Sequence, residues 1–126
     1  MVLAATTTGA AAAVSPTVRM SIVHHVRGCH VWSAKRLLGA STKITVKRGT
    51  KLQVRISCPM DFDFAQLSGP KLALGNPRSV AGTTRTIVLG KLGTYRLRAT
   101  NVQTSEEQGL QTLGPDNLLT LTVVVR

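Results

Sequence analysis

The feature that most constrains this chain is a two-residue alternation of apolar and polar side chains, repeated in short runs. In "KLQVRISC", Leu52, Val54, Ile56 and Cys58 share one face and Lys51, Gln53, Arg55 and Ser57 the other. Successive side chains of an extended strand point to opposite sides, so such a run buries its apolar residues together only as a strand. The pattern returns in Val18, Met20, Ile22 and His24, and in Ile44 and Val46 of "KITVKRG". It returns again in Phe62 and Phe64 against Asp61 and Asp63, and in Tyr95, Leu97 and Ala99 against Arg96 and Arg98. The last run holds Leu119, Leu121, Val123 and Val125. "KITVKRG" and "KLQVRISC" read as two strands joined at "RGT", and "TTRTIVLGKLGTYRLRAT" as two strands about a Gly90/Gly93 turn. "SGPKLALGNPRS" and "NVQTSEEQGLQTLGPDN" read as loops, and "SAKRLLGAST" has room for a helical turn that Gly39 limits. About seven short strands separated by turns predict an all-β, antiparallel sandwich.

A length of 126 residues suits one domain. Residues 1–15, "MVLAATTTGAAAAVS", are expected to be a flexible leader or signal remnant, with the folded domain at 16–126. Aromatic residues are 3% of a chain that is 43% apolar, so core volume must come from Val, Leu, Ile and Ala. No apolar run approaches the ~20 residues that span a bilayer as a helix.

Sixteen Lys and Arg against five Asp and Glu leave a net charge of +11, which favours anionic partners. Lys47, Arg48, Lys51, Arg55, Arg96 and Arg98 are the expected docking surface for an unidentified partner of that kind. The charges are scattered and no aromatic platform accompanies them, which argues against specific nucleic-acid binding. Self-assembly is the other partner expectation, with the Ala/Thr leader and the Val-rich last strand donating edges to neighbouring copies.

"HHVRGCHVWS" (24–33) holds every histidine of the chain, one of its two cysteines and its one tryptophan. Imidazole and thiolate suit copper or zinc, so His24, His25, Cys29 and His30 form a candidate metal set that Cys58 and Met60 could complete. Neighbours on a regular strand diverge, so Cys29 and His30 share an ion only if Gly28 bulges; His24 and His30 share parity, as do His25 and Cys29. Two other readings stand beside this one. Cys29 and Trp32 pack as core with surface histidines, or a Cys29–Cys58 disulfide pins two strands. No enzyme is expected: there is no nucleophile–base pattern or phosphate-cradling glycine motif. Glu106 and Glu107 are adjacent and diverge, and Asp61 and Asp63 suit an outward polar face.

"KITVKRGTKLQVRI", "LGKLGTYRLRA" and "LLTLTVVV" together resemble the cupredoxin-like family over residues 18–126, and "GCHVWS" and "LSGP" resemble its small secreted bacterial members. The resemblance implies a Greek-key β-sandwich, export to the periplasm or beyond the cell, and copper. It also implies a first histidine ligand in "CPMDFDFAQL", where Phe62 takes the corresponding place, and a Cys-x-His-x-Met type loop after the "GTY" strand. The stretch "ATNVQTSEEQGLQTLGPDN" contains none of those three residues, and no histidine follows His30. Conventional blue-copper electron transfer is therefore excluded, leaving copper at the 24–30 cluster or no cofactor.

Overall fold

The structure is a computed structural model that describes residues 16–25, 29–102 and 118–126, the Cys29 side chain excepted. The expected leader and the acidic loop with Glu106 and Glu107 fall outside those residues. Among the described residues are ten strands: β1 Thr17–His25, β2 Cys29–Ser33, β3 Leu37–Gly39, β4 Ser41–Val46 and β5 Thr50–Ser57. They continue with β6 Asp61–Ser68, β7 Arg78–Ser79, β8 Thr84–Leu89, β9 Gly93–Val102 and β10 Leu118–Val125. One sheet runs β3-β2-β1-β5-β8 and the other β4-β10-β9-β6-β7.

The all-β sandwich follows the alternation, with three corrections. The sheets are mixed rather than antiparallel, because β1 runs parallel to β5 and β10 parallel to β4. Alternation reports which face is buried, not the direction of the neighbour. The strand count rises from seven because "CHVWS", "LLG" and the two-residue β7 also pair, and the stretch after Trp32 is a bend at 34–36 followed by strand at Leu37–Gly39 rather than a helical turn. Neither expected strand pair is a hairpin. β4 and β5 lie in different sheets, as do β8 and β9, so each short turn carries the chain across the sandwich. At the first crossing Gly49 takes φ +89°, a left-handed conformation that other residues reach only at a cost. There Thr50 caps the Lys47 carbonyl through both its amide and its hydroxyl.

The inward rows meet as expected: Leu52, Val54 and Ile56 of β5 and Met20 and Ile22 of β1 pack against Tyr95, Leu97, Ala99, Leu119, Leu121 and Val123. Trp32 is fully buried, and its indole N–H donates to the Thr120 carbonyl at 3.1 Å, tying the two sheets together through the core. Tyr95 is buried likewise, with its hydroxyl donating to the Lys91 carbonyl at 2.7 Å. The loop before β8 is held by Arg85. Its guanidinium donates to Ser79 Oγ at 2.8 Å, to the Leu74 carbonyl at 2.6 Å and to the Asn76 carbonyl, and lies 5.2 Å from the centroid of the Phe64 ring. β10 is flanked by β4 and β9. The expectation that this strand offers an edge to a second copy is therefore corrected: its hydrogen-bonding groups are already used on both sides.

Candidate functional site

The histidine cluster sits at one end of the sandwich, where β1 stops and β2 starts. The antiparallel register sets His24 against His30 and His25 against Cys29 without a bulge. His30 continues the inward row of Trp32 and is 1% exposed, whereas His24 and His25 lie at the surface. His24 was expected on the inward row of Met20 and Ile22; it keeps their parity but reaches solvent because the strand has run past the core. The two imidazoles on that face have ring centroids 4.5 Å apart. Residues 26–28 and the Cys29 side chain are outside the described part, and with them the Gly28 bulge on which an ion shared by Cys29 and His30 would depend and the alternative Cys29–Cys58 bridge.

Two other elements end at the same place. Phe62, at the position that the resemblance assigns to a histidine, is fully buried and presents its ring to His30 in a T-shaped contact, 5.1 Å between centroids. An imidazole therefore does reach this pole, but from β2 rather than β6. Across from Phe62 in register stands Asn101 of β9. Its amide nitrogen donates to Met60 Sδ at 2.9 Å, and its carbonyl oxygen is buried without a hydrogen-bond partner among the described residues. Asn101 was not singled out from the sequence, although a signal existed: it continues the inward row Tyr95, Leu97, Ala99 with a polar residue.

Cys58 lies one residue beyond the Val23–Ser57 pair that closes the β1–β5 register. It is a half-buried free thiol, with Sγ 3.8 Å from the Met60 carbonyl oxygen that it faces as donor. Burial pushes the thiol's pKa above its ordinary value; the Met60 hydrogen bond opposes the rise and the Asp61 charge adds to it. The neutral thiol is the form this site favours. Asp61 accepts from the Ala81 amide at 2.9 Å, and Asp63 takes a 2.7 Å charge-assisted bond from Arg78. Both carboxylates are occupied in holding β7 and its loop. Among the described residues, no three His, Cys, Asp or Glu side chains converge as a metal cage.

The six cations expected to form one docking surface occupy three places. Lys47 and Arg48 lie in the β4–β5 turn at the opposite pole, with Lys51 just beyond on β5. Arg55 borders a depression on the outer face of the first sheet with Arg19 and Gln53. Arg96 and Arg98 stand on the outer face of the second, opposite Thr122 and Thr120.

No family model matches the sequence, and no curated protein matches it. Among solved structures, a purple cupredoxin from Nitrosopumilus maritimus matches with a TM-score of 0.50 at 15% identity, covering 84% of this chain and 98% of its own. A multicopper oxidase matches with a TM-score of 0.51 at 13% identity over 87% of this chain; the match spans 41% of the oxidase. An oxidised amicyanin variant gives 0.48 at 15% identity, over 92% of this chain and 89% of its own. Identities this low speak to architecture and not to ligands. The strand order, the two crossings between sheets and the first two of these matches agree on that architecture: the chain is a β-sandwich of cupredoxin-like fold.

Proposed function

We propose that this domain holds a soft metal ion, Cu(I) foremost, at the pole where His24 faces His30, and that it works outside the cytoplasm without catalysing a reaction of its own. The observation that carries the reading is the cross-strand register that sets two imidazoles 4.5 Å apart. The nearby groups suit such an ion in kind: the Met60 thioether is a soft donor, and the buried Asn101 carbonyl oxygen lacks a partner among the described residues. Thioether sulfur favours Cu(I) over zinc. The matched purple cupredoxin and multicopper oxidase are, by name, copper proteins. Copper held here would supply a soft, redox-active centre. The chain's own part is to fix the imidazoles by strand pairing and to shield one of them beneath Phe62. The donors present do not fit a type-1 site, so blue-copper electron transfer is no part of the proposal.

Competition for Cu(I) between the reduced protein and bicinchoninate tests this. Stoichiometric binding is expected, weakened at least tenfold in His24→Ala, a surface substitution that leaves the far-ultraviolet circular dichroism unchanged. Failure of the parent protein to take Cu(I) from the competitor overturns the reading.

A further inference from the structure

We infer that the pole opposite the histidines is a docking face for an anionic lipid surface. There the β4–β5 turn, the β8–β9 turn and the end of β10 are stitched together: the Arg48 amide donates to the Arg126 carbonyl at 3.0 Å and the Gly49 amide to the Leu89 carbonyl at 2.8 Å. The result is an open depression of about 520 Å³ lined by Lys47, Arg48, Leu92 and Arg126. Lys91 shares the turn with Leu92, and Lys51 lies on the adjoining rim of β5. A second depression in the same half of the sandwich, about 620 Å³, brings Lys35 and Arg36 against Thr17–Arg19, whose Thr17 pairs with Lys51. The acids among the described residues, Asp61 and Asp63, lie in the other half of the sandwich, and both are within salt-bridge distance of Arg78. No Asp or Glu side chain among the described residues therefore stands at this pole.

Three observations select lipid over the other anionic surfaces. Large apolar side chains stand singly among the cations: Leu92 in the β8–β9 turn is 56% exposed, and Val88, paired with Lys51, is 58% exposed. Basic groups for phosphate headgroups beside an apolar tip for the acyl boundary are the composition of an interfacial anchor. Second, Trp32, Tyr95, Phe62 and Phe64 are all buried, so no aromatic platform exists on which bases could stack. Third, these apolar side chains form no closed pocket with the cations, which suits a fluid surface better than the fixed contour of a protein partner.

Co-sedimentation with vesicles of equimolar phosphatidylglycerol and phosphatidylcholine, against phosphatidylcholine alone, tests the inference. Binding to the anionic vesicles alone is expected, falling as salt is raised. Each basic side chain neutralised at the pole should weaken partition about fivefold, so Lys47→Gln/Arg48→Gln should lose at least tenfold. Leu92→Ser should weaken vesicle binding while leaving retention on soluble polyglutamate unchanged. His24→Ala should bind vesicles as the parent does, which keeps this inference separate from the metal reading. Equal binding to both vesicle types, or full binding by the double variant, overturns it. So does a loss of vesicle binding in Leu92→Ser that polyglutamate retention matches step for step.

Discussion

The two poles of this sandwich are built on the same strands, yet at one of them the alternation breaks inward and at the other outward. At the histidine pole the inward rows run on past the core and end in polar or soft groups: His30 before Trp32, Met60 before Phe62, Asn101 after Ala99. At the cationic pole the inward rows of β8, β9 and β10 end with Leu89, Tyr95 and Val125, that of β5 ends with Thr50, whose hydroxyl donates to the Lys47 carbonyl, and the cations lie outside the core, in the turns and at the rim. An eight-residue strand separates the poles by roughly 25 Å, more than two Debye lengths at physiological salt. Charge at one end is therefore screened from the other, and the two can be altered separately as long as the shared core holds.

The comparison suggests substitutions that break both ends, then one end, then neither. Trp32→Ala empties the centre of the core and severs the link to Thr120. It should cost about 3–5 kcal/mol, seen as a lower urea midpoint, with Cu(I) binding and vesicle binding lost at the same denaturant concentration. Gly69→Ala strikes only the cationic half. Gly69 holds φ +104°, and an added Cβ would fall 2.4 Å from the Thr94 carbonyl oxygen. Destabilisation of about 1–3 kcal/mol is expected, with faster amide exchange around Gly93 and Thr94 and unchanged exchange at His24 and His30. Asn101→Leu strikes only the histidine half and in the opposite sense. Removing a buried carbonyl without a partner should raise stability by about 1 kcal/mol in thermal unfolding without metal, while Cu(I) affinity falls. A loss of stability in this variant would mean that the Asn101–Met60 contact outweighs the exposed need of the carbonyl.

The smallest effect is that of pH on Cys58. Its folded-state pKa is raised, chiefly by burial, so the folded protein keeps the proton that the unfolded chain releases first. That contribution is fully present below the unfolded thiol's pKa and is lost as pH rises from there through the folded value. Urea midpoints should therefore decline above the ordinary thiol range, and Cys58→Ala should flatten the decline.

Which faces are buried was legible in the sequence because burial has a local signature: each inward residue of β5, β9 and β10 was readable two positions from the last. Partnership was not. Nothing in "KITVKRGTKLQVRI" says that its Gly turn crosses between sheets instead of folding a hairpin, since that depends on Arg126 and Leu89, whose carbonyls take the turn's amides. The candidate site was half legible for the same reason. His24 and His30 share parity and could be matched by counting. Phe62 meets His30, and Asn101 meets Met60, only because β6 and β9 reach the same pole, and the cations that looked like one surface separate once their strands are placed in two sheets.

The position of β10 bears on how such a chain must be made. This strand is synthesised after β4 and β9, yet it lies between them. Without it β4 and β9 have no common neighbour, and each presents unused amides and carbonyls along the side that β10 covers. The second sheet therefore cannot be completed strand by strand along the chain, as a run of hairpins would be: β4 joins β9 only through the late strand β10. Until β10 pairs, β4 and β9 depend on whatever keeps them from pairing with a stranger.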